Sequence, residues 1–390
     1  MSVVYYSAKL AFGSKEVLGM KLATFNVENM FDRAKVMNLD TWAEGKPVLE
    51  DFKSLNELIQ EPAYPDQIKS ELVDIMQRHR GLLTRGLSKF IRLRDIRGDF
   101  VKTPKNKPAE IVANGRADWI GWFELETEPV KETATENTAR IMGLLNADVL
   151  SVIEAEDRIG LKRFNEDVLP IINVAPFHHI MLIDGNDDRG IDVGMMTKQG
   201  YEIIRMLSHV DDEDDKGVIF SRDCAEYEIR TAQGNTLLLL VNHFKSKGYG
   251  SPAESAKKRH RQAKRVRAIY EEQIQNGYEY IAVVGDLNSS PAEPAMDPLI
   301  REGSTLMDIM VHPKFQGDGR PGTHGNGTKS SKLDYILMSP KLSNKVRTGK
   351  IERRGVWGGK NGNLFPHLET VKVEADAASD HAALLVDLNI

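Results

Sequence analysis

Cysteine is almost absent from this 390-residue chain. Cys224 is the only one, so no intrachain disulfide can form, and a reducing, cytoplasmic setting is the expectation. No apolar run approaches the ~20 residues that cross a bilayer, so no membrane partner is expected. The opening stretch MSVVYYSAKLAFGSKEVLGM has Lys9 in its middle, no basic leader and no small-residue cleavage site. Residues 1–20 therefore read as an N-terminal extension and not as a signal peptide. Net positive charge is missing too: 52 Lys and Arg against 57 Asp and Glu give −5. The whole surface does not advertise nucleic-acid binding, which leaves only a local basic patch. There is no HExxH motif and no cysteine set for zinc. Repeats and low-complexity tracts are absent as well.

What is there is a substantial core, at 41% hydrophobic and 28% charged, and a mixture of elements. Strand-like runs recur at 21–27, 147–154, 192–198, 225–231, 236–244, 280–286, 332–339 and 383–388, several rich in β-branched residues and bounded by Gly, Asn or Pro. Helical spacing appears at 136–146 and at 255–274, where Ala263, Val266, Ile269 and Tyr270 form an inner stripe. Strands mixed with helices predict α/β layers. Residues 34–130 differ. They are charged, and SLNELIQ, QIKSELVDIMQRH and LLTRGLSKFIRL predict successive helices, a helical insertion after the first strand.

Polar residues gather where the strand-like runs end. AVVGDLNSSP (282–291) places Asp286 and Asn288 after a run fit for burial. Asp, Asn, Ser and Pro make turns, but residues two apart in a strand also face one way. Asn26, with Glu28 and Asn29 beyond it, Glu154, His243, Asp334, Asp380 and His381 occupy similar places. Each has a structural reading as a cap, a surface residue or a satisfied core histidine. As a set they hold carboxylates, a carboxamide pair and two imidazoles, and open α/β sheets place ligands in crevices at strand ends. Hard oxygen donors suit Mg²⁺.

TFNVEN (24–29), DVLSVIEAED (148–157), FSRD (220–223), VNHFKSK (241–247), VVGDLN (283–288), KLDYILMS (332–339) and SDH (379–381) together resemble the endonuclease/exonuclease/phosphatase superfamily. That resemblance covers about 21–30 and 136–390. It implies a DNase I-like four-layer α/β sandwich over residues 21–390, two facing mixed β-sheets flanked by helices, and a phosphoesterase dependent on Mg²⁺ or Mn²⁺. By motif, Glu154 binds the metal with Asp380 near it, and Asn26 holds metal or scissile phosphate. Asp286, steadied by Asn288, orients and deprotonates the attacking water. His381 touches a phosphoryl oxygen with Asp334 as its carboxylate partner. His243 assists phosphate binding or protonates the leaving group, and Arg222 contacts a phosphate. Asp380 and His381 are neighbours that a regular strand would send to opposite faces, so irregular backbone is expected there.

The chain also departs from the family pattern. Ile153 stands where relatives carry a glutamine before the metal glutamate. His243 speaks against abasic-site endonucleases, and the inositol-phosphatase motif PxWCDR is absent. His243 lacks an obvious carboxylate partner, with Asp192 the candidate. Two segments bear on substrate. KKRHRQAKRVR (257–267) has seven Lys or Arg and would grip a nucleic-acid backbone or form a solvated helix face. Trp357 and Phe365, in a Gly-rich loop, would stack on a base or pack as surface. The acidic run 211–215 lacks the later spacing of a calcium loop and reads as solvated. Three functions stay open: a nuclease acting on nucleic acid, a phosphatase or phosphodiesterase acting on a small nucleotide, sugar or lipid phosphate, and a non-catalytic binding module. No oligomeric state follows.

Overall fold

The computed structural model describes residues 19–390, apart from 29, 40, 41, 106, 188 and 249. The expected N-terminal extension lies outside these up to residue 18. Numbering the strands of the two large sheets in chain order gives β1 Met20–Asn26, β2 Val149–Ala155, β3 His179–Ile183, β4 Asp192–Thr197, β5 Glu202–Leu207, β6 Cys224–Arg230 and β7 Thr236–His243. After these come β8 Tyr280–Asp286, β9 Met307–Asp308, β10 Phe315–Gln316, β11 Asp334–Met338, β12 Val346–Glu352 and β13 Ala383–Leu388.

One sheet has seven strands in the order β10-β12-β13-β1-β2-β4-β3, the other six in the order β5-β6-β7-β8-β11-β9. Each has a parallel pair at its centre, β1 with β2 and β7 with β8, and the short edge strand β10 also runs parallel to β12. Parallel neighbours need a long crossover. The second crossover is the helix Pro252–Gln275, which Ser251 caps by accepting from Glu254 N and Pro252 starts. The first carries residues 27–148, with the helix Glu132–Leu145 at its end.

Alternation along the strands makes the layers. Met20 and Leu22 of β1, Leu237, Leu239 and Val241 of β7, Ala282 and Val284 of β8, and Ile336 and Met338 of β11 meet in one core between the sheets. The opposite sides are covered by helices. Leu150 and Val152 pack on Ile141, Met142 and Leu145, while Leu238, Leu240, Ile281 and Val283 pack on Ala263, Val266 and Ile269. The result is four layers: helix, sheet, sheet, helix, as expected for the DNase I-like fold.

Residues 32–129 fold around a core of their own that includes Phe52, Leu72, Phe100, Trp119 and Phe123, with Phe100 and Trp119 stacked at 4.1 Å. The helices Trp42–Leu58 and Asp66–Arg78 match the sequence expectation. LLTRGLSKFIRL does not. Its helix stops at Arg85 before Gly86, which has φ +67°, and Ile91–Arg97 is a strand paired with Ile120–Leu125. The insertion is therefore mixed α/β. Apolar residues at Leu83, Leu87, Phe90 and Ile91 mimic one helical stripe, but the left-handed Gly86 ends the helix between them. Glu156 anchors the entrance: its Oε1 accepts from the backbone N of Met30, Phe31 and Asp32 at 2.8, 2.8 and 3.1 Å.

Candidate active site

The same alternation that buries the core carries Asn26, His243, Asp286 and Asp334 to the inter-sheet side at the strand ends. Three contacts then cross the gap, each with one partner per sheet. Asn26 Nδ2 donates to Asp286 Oδ2 at 3.3 Å. His243 Nε2 lies 3.4 Å from Glu154 Oε1. His381 Nδ1 lies 2.8 Å from Asp334 Oδ2. Asp286 is the hub, since its Oδ2 is also 3.7 Å from His243 Nε2 and 3.8 Å from His381 Nε2.

Local backbone irregularities complete the set. Regular alternation would send Glu154 to the helix-covered face with Leu150 and Val152. Instead Ala155 pairs with Asp192 and Ile153 with Val193, leaving Glu154 as a bulge at φ +67° that turns toward the cleft. Gly285 has φ +122°, and a Cβ there would stand 2.0 Å from Asn242 O, so only glycine lets β8 approach β7 before Asp286. Asn288, at φ +50°, donates its backbone N to Asp286 Oδ1 at 2.8 Å and its Nδ2 to Asp286 Oδ2 at 3.1 Å. Asp380 and His381 precede β13 outside any regular strand, as expected. His381 is held by an isolated bridge to His324, and His324 Nε2 lies 3.1 Å from Asp380 Oδ2.

The electrostatics separate the two histidines. Burial, reinforced by Arg189, His381 and Lys245, pushes the pKa of His243 well down, so it is neutral. Burial also works against His381, but Asp334, Asp380 and Asp286 outweigh it and push its pKa well up. Burial raises Glu154 and lifts Asp286 to about 7, the latter against the pull of His381. Glu28 is lifted to about 7 by burial and by Asp380. For Asp380 burial is overcome by His324 and His381, which hold it low. Carboxylates that resist ionising are short of positive charge. Glu154, His243 and Asp286 each offer a ligand atom within 4.8 Å of the others, a mixed oxygen and imidazole set that fits a divalent cation.

Residues 99–342, more than half of the chain, match the model of the endonuclease/exonuclease/phosphatase family. The chain belongs to that family. It is a phosphoester hydrolase by that membership. Among solved structures, a family protein from Bacteroides thetaiotaomicron is similar in fold at 17% identity and TM-score 0.48, covering 66% of this chain and 86% of that one. The mannosyl-6-phosphatase Bt3783 of the same organism gives 17%, 0.47, 66% and 91%. The human Nocturnin catalytic domain gives 15%, 0.47, 67% and 87%. No curated protein sequence matched. Among the described residues no helix is long and apolar enough to cross a membrane.

Of the candidate site residues, the structure gathers Asn26, Glu154, His243, Asp286, Asn288, Asp334, Asp380 and His381. Two stand elsewhere. Arg222 has no exposed surface with which to meet a substrate. Its Nε lies 2.7 Å from Asp187 Oδ2 and its Nη1 donates to Phe244 O at 3.1 Å, so the expected phosphate contact is corrected to a supporting role. Trp357 is half-buried, stacked at 5.6 Å on His367 and lying against Gly362. Its loop is tied to the His324 loop through Gly359 N and Asn326 Oδ1. Asp192 does not partner His243: it accepts from Gly185 N at 2.7 Å, and His243 Nδ1 is buried without a hydrogen bond.

The basic helix is also not a free cationic face. Arg259 is buried on Ser289, Arg261 bonds Asp214 at 2.7 Å and Arg265 bonds Asp212 at 2.6 Å. Asp212 and Asp214 of the acidic run supply its counter-charge, and the run is otherwise solvated, as expected. Sequence reading missed His324 and Arg189. Neither carries a signal beyond its own identity, since both lie in loops that only the tertiary fold brings to the cleft. Ile153 is buried in the inter-sheet core, so no polar group takes the missing glutamine's place at that position.

Proposed function

We propose that this chain hydrolyses phosphodiester bonds as a nuclease dependent on Mg²⁺ or Mn²⁺. The observation that carries the reading is the closure of three cross-sheet pairs around Asp286. Bound between Glu154, His243 and Asp286, a divalent ion would polarise the phosphoryl group and neutralise charge on its oxygens. Every other part belongs to the chain. Asp286, its two oxygens fixed by Asn288 and Asn26, holds a water and takes its proton. His381, charged and fixed by Asp334, faces a non-bridging oxygen of the phosphate. Asn26 orients the same phosphate. The neutral His243 fits a ligand or acceptor better than a proton donor to the leaving group. Asp380 stands on the open side with His324.

The test is incubation of metal-stripped protein with plasmid and single-stranded DNA, with and without added Mg²⁺ or Mn²⁺, beside Asp286→Ala. Metal-dependent cleavage that the variant lacks supports the reading. A second reading, hydrolysis of a small nucleotide, sugar or lipid phosphate, is favoured by the basic helix, whose arginines are spent within the chain, Arg261 and Arg265 on the acidic run and Arg259 on Ser289. Turnover of such esters without DNA cleavage would select it. A binding module on the same fold would show neither activity.

A further inference from the structure

Beside the Glu154–His243 pair lies a group of cations that the hydrolytic centre does not use. Arg189 is only 10% exposed in its side chain and forks onto Asp187, with Nε 3.0 Å from Oδ1 and Nη2 3.0 Å from Oδ2. Asp187 is braced from behind by Arg222, which also binds Phe244 O. That same carbonyl accepts Asn288 Nδ2 at 3.1 Å. An unbroken chain of contacts therefore runs from Asp286 through Asn288, Phe244 O, Arg222 and Asp187 to Arg189.

Lys245 follows Phe244. Its backbone is pinned by Gln262, and its carbonyl is pinned by Arg259 Nη1 at 3.2 Å. The insertion closes this corner: Lys53, on the helix Trp42–Leu58, places its Nζ 3.9 Å from where a Cβ on Gly250 would lie, five residues past Lys245. Lys53 also pairs with Glu57 at 3.3 Å, both side chains being well exposed. Four chain segments thus bring like charges to one rim. Asp187 already offsets Arg189 and Arg222, and a positive field at the rim of a cleft favours an anionic substrate group there.

From this we infer that Arg189 and Lys245, with Lys53 from the insertion, form a subsite for a second phosphate of the substrate, next to the one being hydrolysed. The ligand class is a nucleotide chain, in which phosphates recur at fixed spacing. This rests on the hydrolase reading and refines it. Arg189 supplies a planar fork whose far edge can meet phosphate oxygens. Lys53 gives the insertion a role at the cleft that its separate core does not reveal.

The test compares two synthetic esters in the presence of Mn²⁺: bis(p-nitrophenyl) phosphate, with one phosphate, and thymidine 3′-phosphate 5′-(p-nitrophenyl phosphate), with two. Released p-nitrophenolate is the readout. The intact protein should favour the second in kcat/KM by about tenfold or more, the scale of one or two charge-assisted contacts. Arg189→Gln, Lys245→Gln and Lys53→Gln should shrink that preference while leaving turnover of the one-phosphate ester closer to the parent. Arg189 is largely buried and its variant could fold poorly, so the exposed Lys53→Gln keeps the test decisive. Equal kcat/KM for both esters, unchanged by the three variants, overturns the subsite and leaves the hydrolase reading standing. If neither ester nor DNA is hydrolysed, both fall.

Discussion

His243 and His381 occupy matching places, one at the end of a strand in the six-stranded sheet, the other at the start of a strand in the seven-stranded sheet. Both point Nε2 at Asp286, from 3.7 and 3.8 Å. Their other nitrogens make the difference. His381 Nδ1 meets the Asp334 carboxylate, whereas His243 Nδ1 meets nothing that hydrogen-bonds. Carboxylates therefore favour the charged form of one imidazole and fix its orientation, while burial and neighbouring cations disfavour the charge on the other. A single buried carboxylate decides which role a histidine can take in a cleft that must bind an anion.

The largest effect should come from removing what both histidines face. Asp286→Ala is expected to lower kcat by roughly 10²–10⁴-fold, measured on any ester the parent turns over. The melting temperature should hold or rise, because the lost carboxylate is buried among other carboxylates. A variant that melts well below the parent would show that Asp286 is structural. Next comes the partner that separates the two imidazoles. Asp334→Asn keeps the shape but removes the charge, so His381 should lose its cationic character. A fall in kcat of about 10²-fold is expected, with a smaller change in KM. A pure KM effect would mean that His381 binds substrate without favouring the transition state. His243→Gln should cost less, on the order of tenfold, the scale of one hydrogen bond to a charged group. A loss larger than that of Asp334→Asn would reverse the comparison and make His243 the principal histidine.

These roles differ in how far the sequence discloses them. Asn26, His243, Asp286 and Asp334 lie in phase with Leu22, Val241, Val284 and Ile336 of their own strands, so strand periodicity alone points them at the cleft. Glu154 lies out of phase, and only a bulge opposite Asp192 and Val193 turns it inward. The irregular backbone at Asp380 and His381 followed from the conflict of two adjacent polar residues. His324 and Arg189 sit in loops, where no periodicity exists to orient a side chain. The pairing of the acidic run with Arg261 and Arg265 is a tertiary event between distant segments, and charge runs give no register from which to foresee it. The strands β3, β5 and β12 also escaped notice. β5 and β12 mix charges with short apolar stretches, because edge and near-edge strands are covered on fewer sides.

A third imidazole sharpens the contrast at the smallest expected effect. His209, away from the cleft, is gripped on both nitrogens: Nδ1 lies 3.0 Å from Asp212 Oδ2 and Nε2 3.0 Å from Glu226 Oε1. Burial works against its charge, but Glu226 and Asp212 prevail and raise its pKa, with Arg265 opposing. With the folded pKa above the unfolded value of about 6.5, the cation's contribution is complete below that value. It is lost as pH rises through the folded pKa. His209→Gln should therefore cost about 1–2 kcal/mol of stability at pH 6 and less at pH 9, measured by urea unfolding at both. A cost independent of pH would show that His209 acts through shape and neutral hydrogen bonds. Carboxylates at both nitrogens would then not suffice to hold a buried histidine charged, and the reading of His381, which has a carboxylate at one nitrogen and an open cleft at the other, would weaken with it.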